Sequence, residues 1–308
     1  FHYMKIMFLY PNHEGYFRCP LGLTVIMTVC ANEGHEVRLF DTTFMNVSEN
    51  KDNKIREKAK QVKVVTIDNF FNKLSKNQIE DKWLKAIEEF SPDIIGTTIV
   101  EDSYVYCDRL LGLAKKKFNI PVVAGGVVPT VVPQIIIENP NIDYAVEAEG
   151  EVAFKELLNA LKKGNDVSKV PNLWYKDNGK VKRTGLIKYL NMDEIPNQRI
   201  EFWNDKHFKK PYDGKLYNTG FFEASRGCMH KCHYCINRAF QVFQEESGKV
   251  RRNKSVDQII NEVKSIHKER NFELIMFTDD NFLARQPREF NEFYDRWKKE
   301  INVPYWMN

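Results

Sequence analysis

The chain has 308 residues, of which 43% are hydrophobic and 29% are charged. This composition excludes a low-complexity or mainly disordered chain. No run approaches the roughly 18 apolar residues of a membrane span, which predicts no membrane partner. The formal net charge is only +4, from 46 lysines and arginines against 42 aspartates and glutamates, and so small a surplus predicts no nucleic-acid partner.

The cysteines are unevenly distributed along the chain. Three residues precede Met4, which we expect to be the natural start, and they resemble neither a signal nor a transit peptide. A cytoplasmic location is therefore expected, where cysteines are kept reduced. Cys228, Cys232 and Cys235 lie close together, whereas the other three are scattered. Such a cluster in a reducing compartment indicates metal ligands or catalysts rather than a disulfide scaffold.

Residues 4–165 alternate short apolar runs with helical patterns. This alternation predicts an α/β domain with a Rossmann-like, doubly wound parallel sheet. The charged stretch 48–76 interrupts the alternation, and we expect an extra helix or a mobile insertion there, with no assigned function. The predicted strands are Lys5–Tyr10, Glu36–Asp41, Asp93–Val100, Pro121–Gly126 and Ile142–Val146, and the predicted helices are Leu21–Glu33, Tyr104–Phe118 and Glu151–Lys163.

Residues 166–215 differ in character from both flanking regions. Residues 173–181 predict a β-hairpin, in which Asn178 and Gly179 suit a type I′ turn. Prolines punctuate the rest, so we interpret 166–215 as a linker that carries a small hairpin.

A second βα pattern occupies residues 216–308. Strands are predicted at 216–224, at 273–278 and from Val303 onward, with helices following Ser255 and Gln286. Three parallel strands cannot close a barrel and would leave an exposed edge. We therefore expect this chain to be the N-terminal part of a longer protein.

The cysteines at 228, 232 and 235 have the spacing C-x3-C-x2-C. Three thiolates on one loop at the end of a strand can converge on one soft metal centre. Structural zinc takes four closed ligands, whereas a 4Fe-4S cluster held by three cysteines leaves one iron open for another ligand. A zinc site with His230 or His233 as fourth ligand is the alternative, although we interpret both histidines as loop residues facing solvent.

This loop resembles the signature of the radical S-adenosylmethionine (SAM) enzymes, including the aromatic Tyr234 just before the last cysteine. The resemblance implies that the open iron chelates SAM, that one electron cleaves SAM to a 5′-deoxyadenosyl radical, and that an electron donor such as flavodoxin or ferredoxin is a partner. It also implies that Tyr234 lies against the adenine of SAM.

A second segment resembles the part of the same family that meets the methionine end of SAM. It runs from Thr278 to Phe282, and the resemblance implies SAM contacts at Thr278, Asp279 and Asp280, where a carboxylate suits the ammonium group of SAM. The family's glycine-rich form of this segment is replaced here by Asp-Asp-Asn. A helix N-cap or a solvated turn is the alternative interpretation of the two aspartates.

In the first domain, ligand-binding groups are expected where the parallel strands end, because doubly wound sheets bind ligands outside the carboxyl ends of their strands. Neither a G-x-G-x-x-G nor a P-loop motif is present, so nicotinamide and P-loop functions lose support. Paired glycines permit close approach of a ligand, but they also occur as simple turn geometry. The candidates are Thr97, Thr98, Gly125, Gly126 and residues 147–151.

The order of these features resembles the cobalamin-binding radical SAM enzymes along nearly the entire chain, with a partial radical SAM (β/α) barrel at residues 216–308. The histidine motif D-x-H-x-x-G of other cobalamin proteins is absent, and neither His13 nor His35 lies in that context. We therefore expect no histidine below the cobalt, an arrangement hypothesised to ease methyl transfer. The resemblance places these residues near the cobalamin nucleotide tail: Thr97, Thr98, Gly125, Gly126, Glu149 and Gly150.

The resemblance implies an enzyme with three cofactors, a 4Fe-4S cluster, SAM and cobalamin, that acts on a small-molecule substrate. Methylation of an unactivated carbon is the expected reaction, and cyclisation or another radical rearrangement is the alternative. A zinc-stabilised, Rossmann-like ligand-binding or sensor protein without catalysis is the alternative of a different class. A chain that keeps both cofactor folds but lacks activity is a third. The sequence assigns no general acid or base.

Overall fold

The computed structural model describes residues 3–13, 19–45, 51–63, 65 and 67–308. The described residues form two compact units. One takes its residues from the ranges 1–16, 22–49 and 67–187, and the other from 17–21, 50–66 and 188–308.

The elements up to residue 187 follow the predicted alternation closely. The strands are β1 (Lys5–Tyr10), β2 (Glu36–Asp41), β3 (Ile94–Thr98), β4 (Val122–Gly125), β5 (Tyr144–Val146), β6 (Leu173–Asp177) and β7 (Lys180–Arg183). The helices are α1 (Leu21–Asn32), α2 (Lys51–Lys58), α3 (Lys76–Phe90), α4 (Tyr104–Phe118), α5 (Val127–Val131), α6 (Pro133–Glu138) and α7 (Glu151–Lys163). Within the charged stretch 48–76, α2 confirms the expected extra helix, whereas residues 48–50, 64 and 66 lie outside the described residues.

The first unit contains one seven-stranded sheet in the order β2-β1-β3-β4-β5-β6-β7. Strands β1 to β5 are parallel, and the order 2-1-3-4-5 places a topological switch between β1 and β3. The predicted Rossmann-like, doubly wound sheet is confirmed.

The hairpin β6–β7 extends this sheet instead of standing apart as part of a linker. Strand β6 pairs antiparallel with β5, with Trp174 opposite Ala145. The predicted tight turn is present, since both Asn178 (φ 49°) and Gly179 (φ 76°) are left-handed. The first sheet therefore continues beyond residue 165, and the two units divide between Ile187 and Lys188.

A buried carboxylate attaches the hairpin to the end of β5. Glu147 is only 7% exposed and accepts hydrogen bonds from Arg183 Nη2 at 2.5 Å and Nε at 3.1 Å. It also accepts one from Trp174 Nε1. Charge-assisted bonds of this kind are about twice as strong as neutral ones, so Glu147 fixes the hairpin on the sheet.

The core of the first unit lies on both faces of β1. Met7 and Leu9 join a buried cluster with Trp83, whose Nε1 donates to the Leu110 carbonyl at 2.9 Å. Phe8 points to the opposite face and packs against Phe154 of α7, with ring centroids 5.5 Å apart. This period-two alternation explains why the strand is continuously apolar, because helices cover both faces of the sheet.

The second unit has a four-stranded sheet in the order β13-β12-β9-β8, and a separate two-stranded ladder of β10 and β11. Its strands are β8 (Lys209–Tyr212), β9 (Lys215–Phe222), β10 (Ser225–Arg226), β11 (Arg252–Asn253), β12 (Leu274–Phe277) and β13 (Tyr305–Trp306), and its remaining helices are α8 (Ile236–Phe243), α9 (Val256–Arg270) and α10 (Pro287–Glu300). Strands β9, β12 and β13 are parallel, as predicted.

An additional antiparallel strand, β8, was assigned to the linker by the sequence. It pairs with β9 through a hairpin whose turn is Asp213 (φ 46°) and Gly214 (φ 77°). The boundaries 4–165, 166–215 and 216–308 stay predictions for the domains as functional pieces. Within the described part of the chain, no helix combines the length and apolar content needed to cross a membrane.

Candidate functional site

The cysteine loop begins where β10 ends, at a position that requires glycine. Gly227 has φ 74°, and a Cβ there would lie 2.5 Å from the Val250 carbonyl oxygen. The neighbouring ladder is antiparallel, with Ser225 opposite Asn253 and Arg226 opposite Arg252. The strand before the loop and the segment 250–253 therefore lie too close together for a side chain at position 227.

The three predicted ligands are free thiols. Cys228 and Cys235 are half-buried and Cys232 is exposed. The Cys228 sulfur already accepts a hydrogen bond from the His230 backbone N–H at 3.5 Å, a contact of the kind that tunes thiolate ligands. Among the described residues no His, Cys, Asp and Glu side chains are gathered as a metal site, so the sulfurs share a loop without converging.

Helix α8, which follows the cysteine loop, is hydrogen-bonded back to the start of that loop. Gln241 Nε2 donates to the Cys228 carbonyl at 2.6 Å and to the His230 carbonyl at 3.0 Å. The Cys235 N–H donates to the Cys232 carbonyl at 3.1 Å. The loop is thus tied to the helix that follows it, while Tyr234 is 93% exposed beside it.

The second predicted SAM segment follows β12 and alternates in its exposure. Thr278 and Asp280 are exposed, whereas Asp279 is only 2% exposed. One Asp279 oxygen accepts from the Ala224 N–H at 3.1 Å, and the other accepts from the Ser225 hydroxyl. Asp279 is therefore neither an N-cap nor a solvated residue; it ties the end of β12 to the strand that leads into the cysteine loop.

Burial raises the pKa of Asp279 above its ordinary value of 3.8, although the Ser225 and Ala224 hydrogen bonds oppose the shift. The folded protein therefore holds this proton at a higher pH than the unfolded chain does. Its stabilising contribution is complete below the unfolded-state pKa and is lost as the pH rises through the folded-state pKa.

Asp279→Asn tests this buried carboxylate. We expect a loss of about 1–3 kcal/mol in the free energy of unfolding at neutral pH, because the amide cannot accept both hydrogen bonds. Wild type should gain stability relative to Asp279→Asn as the pH is lowered, as measured by urea unfolding at a series of pH values. Asp280→Asn, at the exposed neighbour, is the control; an equal pH dependence in both variants would contradict the assignment.

Three predicted site residues, Thr98, Gly125 and Gly126, lie at the carboxyl ends of β3 and β4. We call this group the glycine edge. Gly126 has φ 100°, and a Cβ there would lie 2.6 Å from the Thr98 hydroxyl, whereas a Cβ on Gly125 would meet nothing within 4 Å. Thr97 is turned inward, because its hydroxyl donates to the Leu9 carbonyl at 3.0 Å. The structure thus brings Thr98, Gly125 and Gly126 together at the edge and keeps the Thr97 hydroxyl inside the fold.

The loop after β5 is held against the loop after β4. The Thr130 hydroxyl donates to the Gly126 carbonyl at 2.8 Å and accepts from the Ala148 N–H at 3.1 Å. Ala148 is left-handed, with φ 60°. The Glu149 and Gly150 positions therefore lie beside the glycine edge, as the sequence predicts. His35 lies elsewhere: its Nδ1 accepts from the Met4 N–H, before β1 begins.

Two residues that position these loops were missed by the sequence analysis. Asn172 is 2% exposed and left-handed (φ 57°), and its amide donates to the Glu149 carbonyl at 3.0 Å. The Pro171-Asn172 pair was the available turn signal. Gln241 carries no comparable signal, since nothing in its sequence context predicts that it reaches back to Cys228.

Two family models match the chain. The B12 binding domain matches residues 58–158, and the Radical SAM superfamily matches residues 222–303. These ranges contain, respectively, the glycine edge with the loop after β5 and the cysteine loop with the Asp279 segment. The chain belongs to the cobalamin-binding radical SAM family.

Two curated proteins are similar to this chain over more than half of its length. An uncharacterized methyltransferase of Pyrococcus horikoshii is 34% identical over 207 residues, which are 66% of this chain and 43% of that protein. An anaerobic magnesium-protoporphyrin IX monomethyl ester cyclase of Synechocystis is 26% identical over 181 residues, which are 58% of this chain and 34% of the cyclase. The chain thus spans less than half the length of these two curated relatives.

Among solved structures, the radical SAM methyltransferase TsrM of Kitasatospora setae has the same fold. The two superimpose with a TM-score of 0.66 at 18% identity, over 98% of this chain and 54% of TsrM. That structure holds tryptophan as substrate and a SAM analogue, and another structure of TsrM holds cobalamin and a [4Fe-4S] cluster.

The donor set of this cobalamin-binding radical SAM protein fits an iron–sulfur cluster. Three free thiols lie on one loop, which begins at Gly227 and is tied at Cys228 and His230 to Gln241 of the following helix. The glycine edge of the B12-binding domain likewise offers backbone without side chains to a large ligand. The zinc-sensor alternative is not favoured by the two family domains.

Proposed function

We propose that this chain is the cofactor-binding part of an enzyme that uses a 4Fe-4S cluster, SAM and cobalamin to methylate an unactivated carbon of a small molecule. The observation that carries the proposal is the presence, on one chain, of the free three-thiol loop after β10 and the open glycine edge after β4. The two methyltransferases among the similar proteins support the reaction type.

In the second unit, Cys228, Cys232 and Cys235 are proposed to hold the cluster. Loop closure by Gln241 limits how far the first thiol can move from the other two, which reduces the entropy lost when all three bind one centre. The residues proposed to contact SAM are Tyr234, Thr278, Asp279 and Asp280. Of these, Asp279 is buried, so its charge and its hydrogen bond from the Ser225 hydroxyl would matter more than direct contact with SAM.

In the first unit, the glycine edge and the adjoining loop are proposed to receive cobalamin. Gly125 and Gly126 would let the ligand touch the backbone, while Thr97 would contribute through packing because its hydroxyl is already engaged. The proposed contacts are Thr97, Thr98, Gly125, Gly126, Glu149 and Gly150.

When bound, the cluster and SAM supply one-electron cleavage of a sulfonium, and cobalamin supplies a methyl group. A low-potential electron carrier such as flavodoxin or ferredoxin is the proposed partner. We also propose a cytoplasmic location, where the exposed Cys232 thiol stays reduced.

Anaerobic reconstitution of the full chain with iron and sulfide tests the cofactor set. We expect about four irons per chain, as for a single 4Fe-4S cluster, together with stoichiometric cobalamin binding and formation of 5′-deoxyadenosine from SAM after reduction. A colourless protein that binds one zinc instead would support the sensor alternative. Cluster assembly without SAM cleavage would show that this chain retains the cofactor folds without the activity.

Cyclisation is the second candidate reaction, because the Synechocystis relative is a cyclase. The two are separated with SAM labelled in its methyl group and reduced cobalamin bound to the chain. Label recovered with the cobalamin supports methylation. Label recovered in methionine and not in cobalamin, while 5′-deoxyadenosine forms, favours a rearrangement.

A further inference from the structure

Two arginines outside the predicted sites lie next to the strand that leads into the cysteine loop. Arg251 donates from Nη1 to the Arg252 carbonyl at 2.9 Å, and from Nη2 to the Asn281 and Ala284 carbonyls at 2.9 and 3.1 Å. Arg285 donates from Nη1 to the Lys254 carbonyl at 2.9 Å and from Nη2 to the Ala224 carbonyl. Both guanidinium groups are therefore fixed by backbone.

Among the residues that the structure describes, neither arginine has a counter-ion within ion-pair distance. Every acceptor named above is a neutral carbonyl, and the Nε atoms of both residues are shielded from solvent without a hydrogen-bond partner. No carboxylate oxygen of the described residues lies within 4.0 Å of either group. Charges removed from water are ordinarily paired, so two fixed cations without a carboxylate indicate that an anion belongs beside them.

The buried carboxylate of Asp279 acts electrostatically on both arginines without forming an ion pair with either. Both oxygens of Asp279 already accept hydrogen bonds from Ala224 and Ser225, and neither oxygen lies within ion-pair distance of Arg251 or Arg285. Neither guanidinium group is therefore engaged in an ion pair with a carboxylate of the described residues.

The pairing of the strands locates Arg251 beside the first cysteine. Arg252 is opposite Arg226, and the Val250 carbonyl packs on Gly227, so that Arg251 lies between these two contacts, level with the start of the loop. Burial lowers the pKa of Arg251, whereas the negative charges of Asp279, Cys228 and Asp280 raise it, and an arginine remains protonated throughout. Cys228 is thus among the groups that act electrostatically on Arg251.

We infer that Arg251 and Arg285 form a guanidinium pair that compensates the negative charge of the cluster held by Cys228 and raises its reduction potential. The inference rests on the proposed function, because it requires that cluster. Three thiolates outweigh the positive charge of an oxidised 4Fe-4S core, so the bound cluster is an anion. One electron from a low-potential donor makes it more negative, without a proton, and fixed cations favour that more negative state.

The test is a potentiometric titration of the reconstituted full chain, with redox mediators and detection by electron paramagnetic resonance. Arg251→Gln and Arg285→Gln should each lower the equilibrium constant for one-electron reduction about tenfold, which is about 59 mV more negative. Arg251→Lys keeps the charge and should keep the potential near that of wild type, although lysine cannot bridge three carbonyls. Lys299→Gln, an exposed charge at the far end of α10, is the matched control and should leave the potential unchanged.

The outcomes separate this inference from the proposed function. If wild type assembles no cluster, both fail; if wild type assembles one but both glutamine variants keep its potential, only the inference is overturned. If Arg251→Gln does not load, Arg285→Gln and Arg251→Lys decide, since a potential lowered in the first and kept in the second supports the charge effect. Thermal unfolding of the cluster-free variants shows how much stability the carbonyl contacts provide, a quantity that does not set the potential.

Discussion

Cys232→Ala is expected to abolish binding of iron and sulfide while leaving cobalamin binding close to that of wild type. Two remaining thiolates cannot occupy three corners of a 4Fe-4S cluster, and Cys232 is exposed, so its removal leaves no buried cavity. The B12-binding sheet has its own buried core around Trp83 and should fold unchanged. Iron and sulfide counted per chain, together with a cobalamin titration, measure both effects in the same preparation.

His233→Ala is the matched control, because this exposed residue adjoins Cys232 in the same loop. It should retain the full iron content if the histidines are not ligands. Loss of metal in His233→Ala would instead indicate a mixed Cys and His zinc site. Loss of cobalamin binding in Cys232→Ala would contradict the independence of the two units.

Gly227→Ala is expected to prevent cluster assembly although it removes no ligand. The new methyl group would lie 2.5 Å from the Val250 carbonyl oxygen and 2.6 Å from its Cγ1, at a φ of 74°. The ladder of β10 and β11 must then separate, and the first cysteine loses its position. We expect a fall of about 2–4 kcal/mol in the free energy of unfolding, from backbone strain and overpacking together. Urea unfolding of the cluster-free protein and iron content after reconstitution check the two effects.

Gly179→Ala separates the steric contact from backbone strain. Gly179 has a φ of 76°, similar to that of Gly227, but a Cβ there would meet nothing within 4 Å. It should lose only about 1–2 kcal/mol and load a full cluster. Equal cluster loading in Gly227→Ala and Gly179→Ala would show that the contact with Val250 is not what shapes the cysteine loop.

Much of the fold was predictable because its determinants are local. Helix α1 ends before Gly34, which has the left-handed φ of 83° expected of a C-cap. Ser255 accepts from the Gln258 N–H at 3.1 Å as the N-cap of α9. Pro287 occupies the first turn of α10. Each of these features depends on residues a few positions apart, so a single sequence contains the whole pattern.

The errors concern pairing between segments. The turn at Asn178 and Gly179 was predicted, but not that β6 would join β5, where Glu147 contacts Arg183, 36 positions along the chain. The β8–β9 hairpin was missed although Asp213 and Gly214 form a recognised turn pair. The missed β8–β9 hairpin was therefore avoidable. The pairing of β6 with β5 involves contacts that the sequence pattern does not show.

The candidate site likewise contains features that the sequence predicts and features that it does not. The cysteines were predictable because all three lie on one loop. The burial of Asp279 was not, yet it follows from the period of β12: Phe277 and Asp279 point inward while Thr278 points outward, so the alternation continues past the strand. Arg251 carried no sequence signal, because its significance comes from carbonyls that only the fold brings to it.

The antiparallel pair at the end of the first sheet also decides where the protein can be cut for separate study. A fragment ending at residue 165 would lack two of the seven strands, leave the edge of β5 that faces β6 unpaired, and remove the Asn172 amide that holds the Glu149 carbonyl. A fragment that continues through Ile187 keeps both strands, the pairing of β5 with β6 and the Asn172 amide. It also keeps the hydrogen bond that the Ile187 N–H donates to the Asn172 side chain at 2.8 Å. Weak cobalamin binding by the fragment that ends at residue 165 would then reflect an incomplete sheet rather than a missing ligand contact.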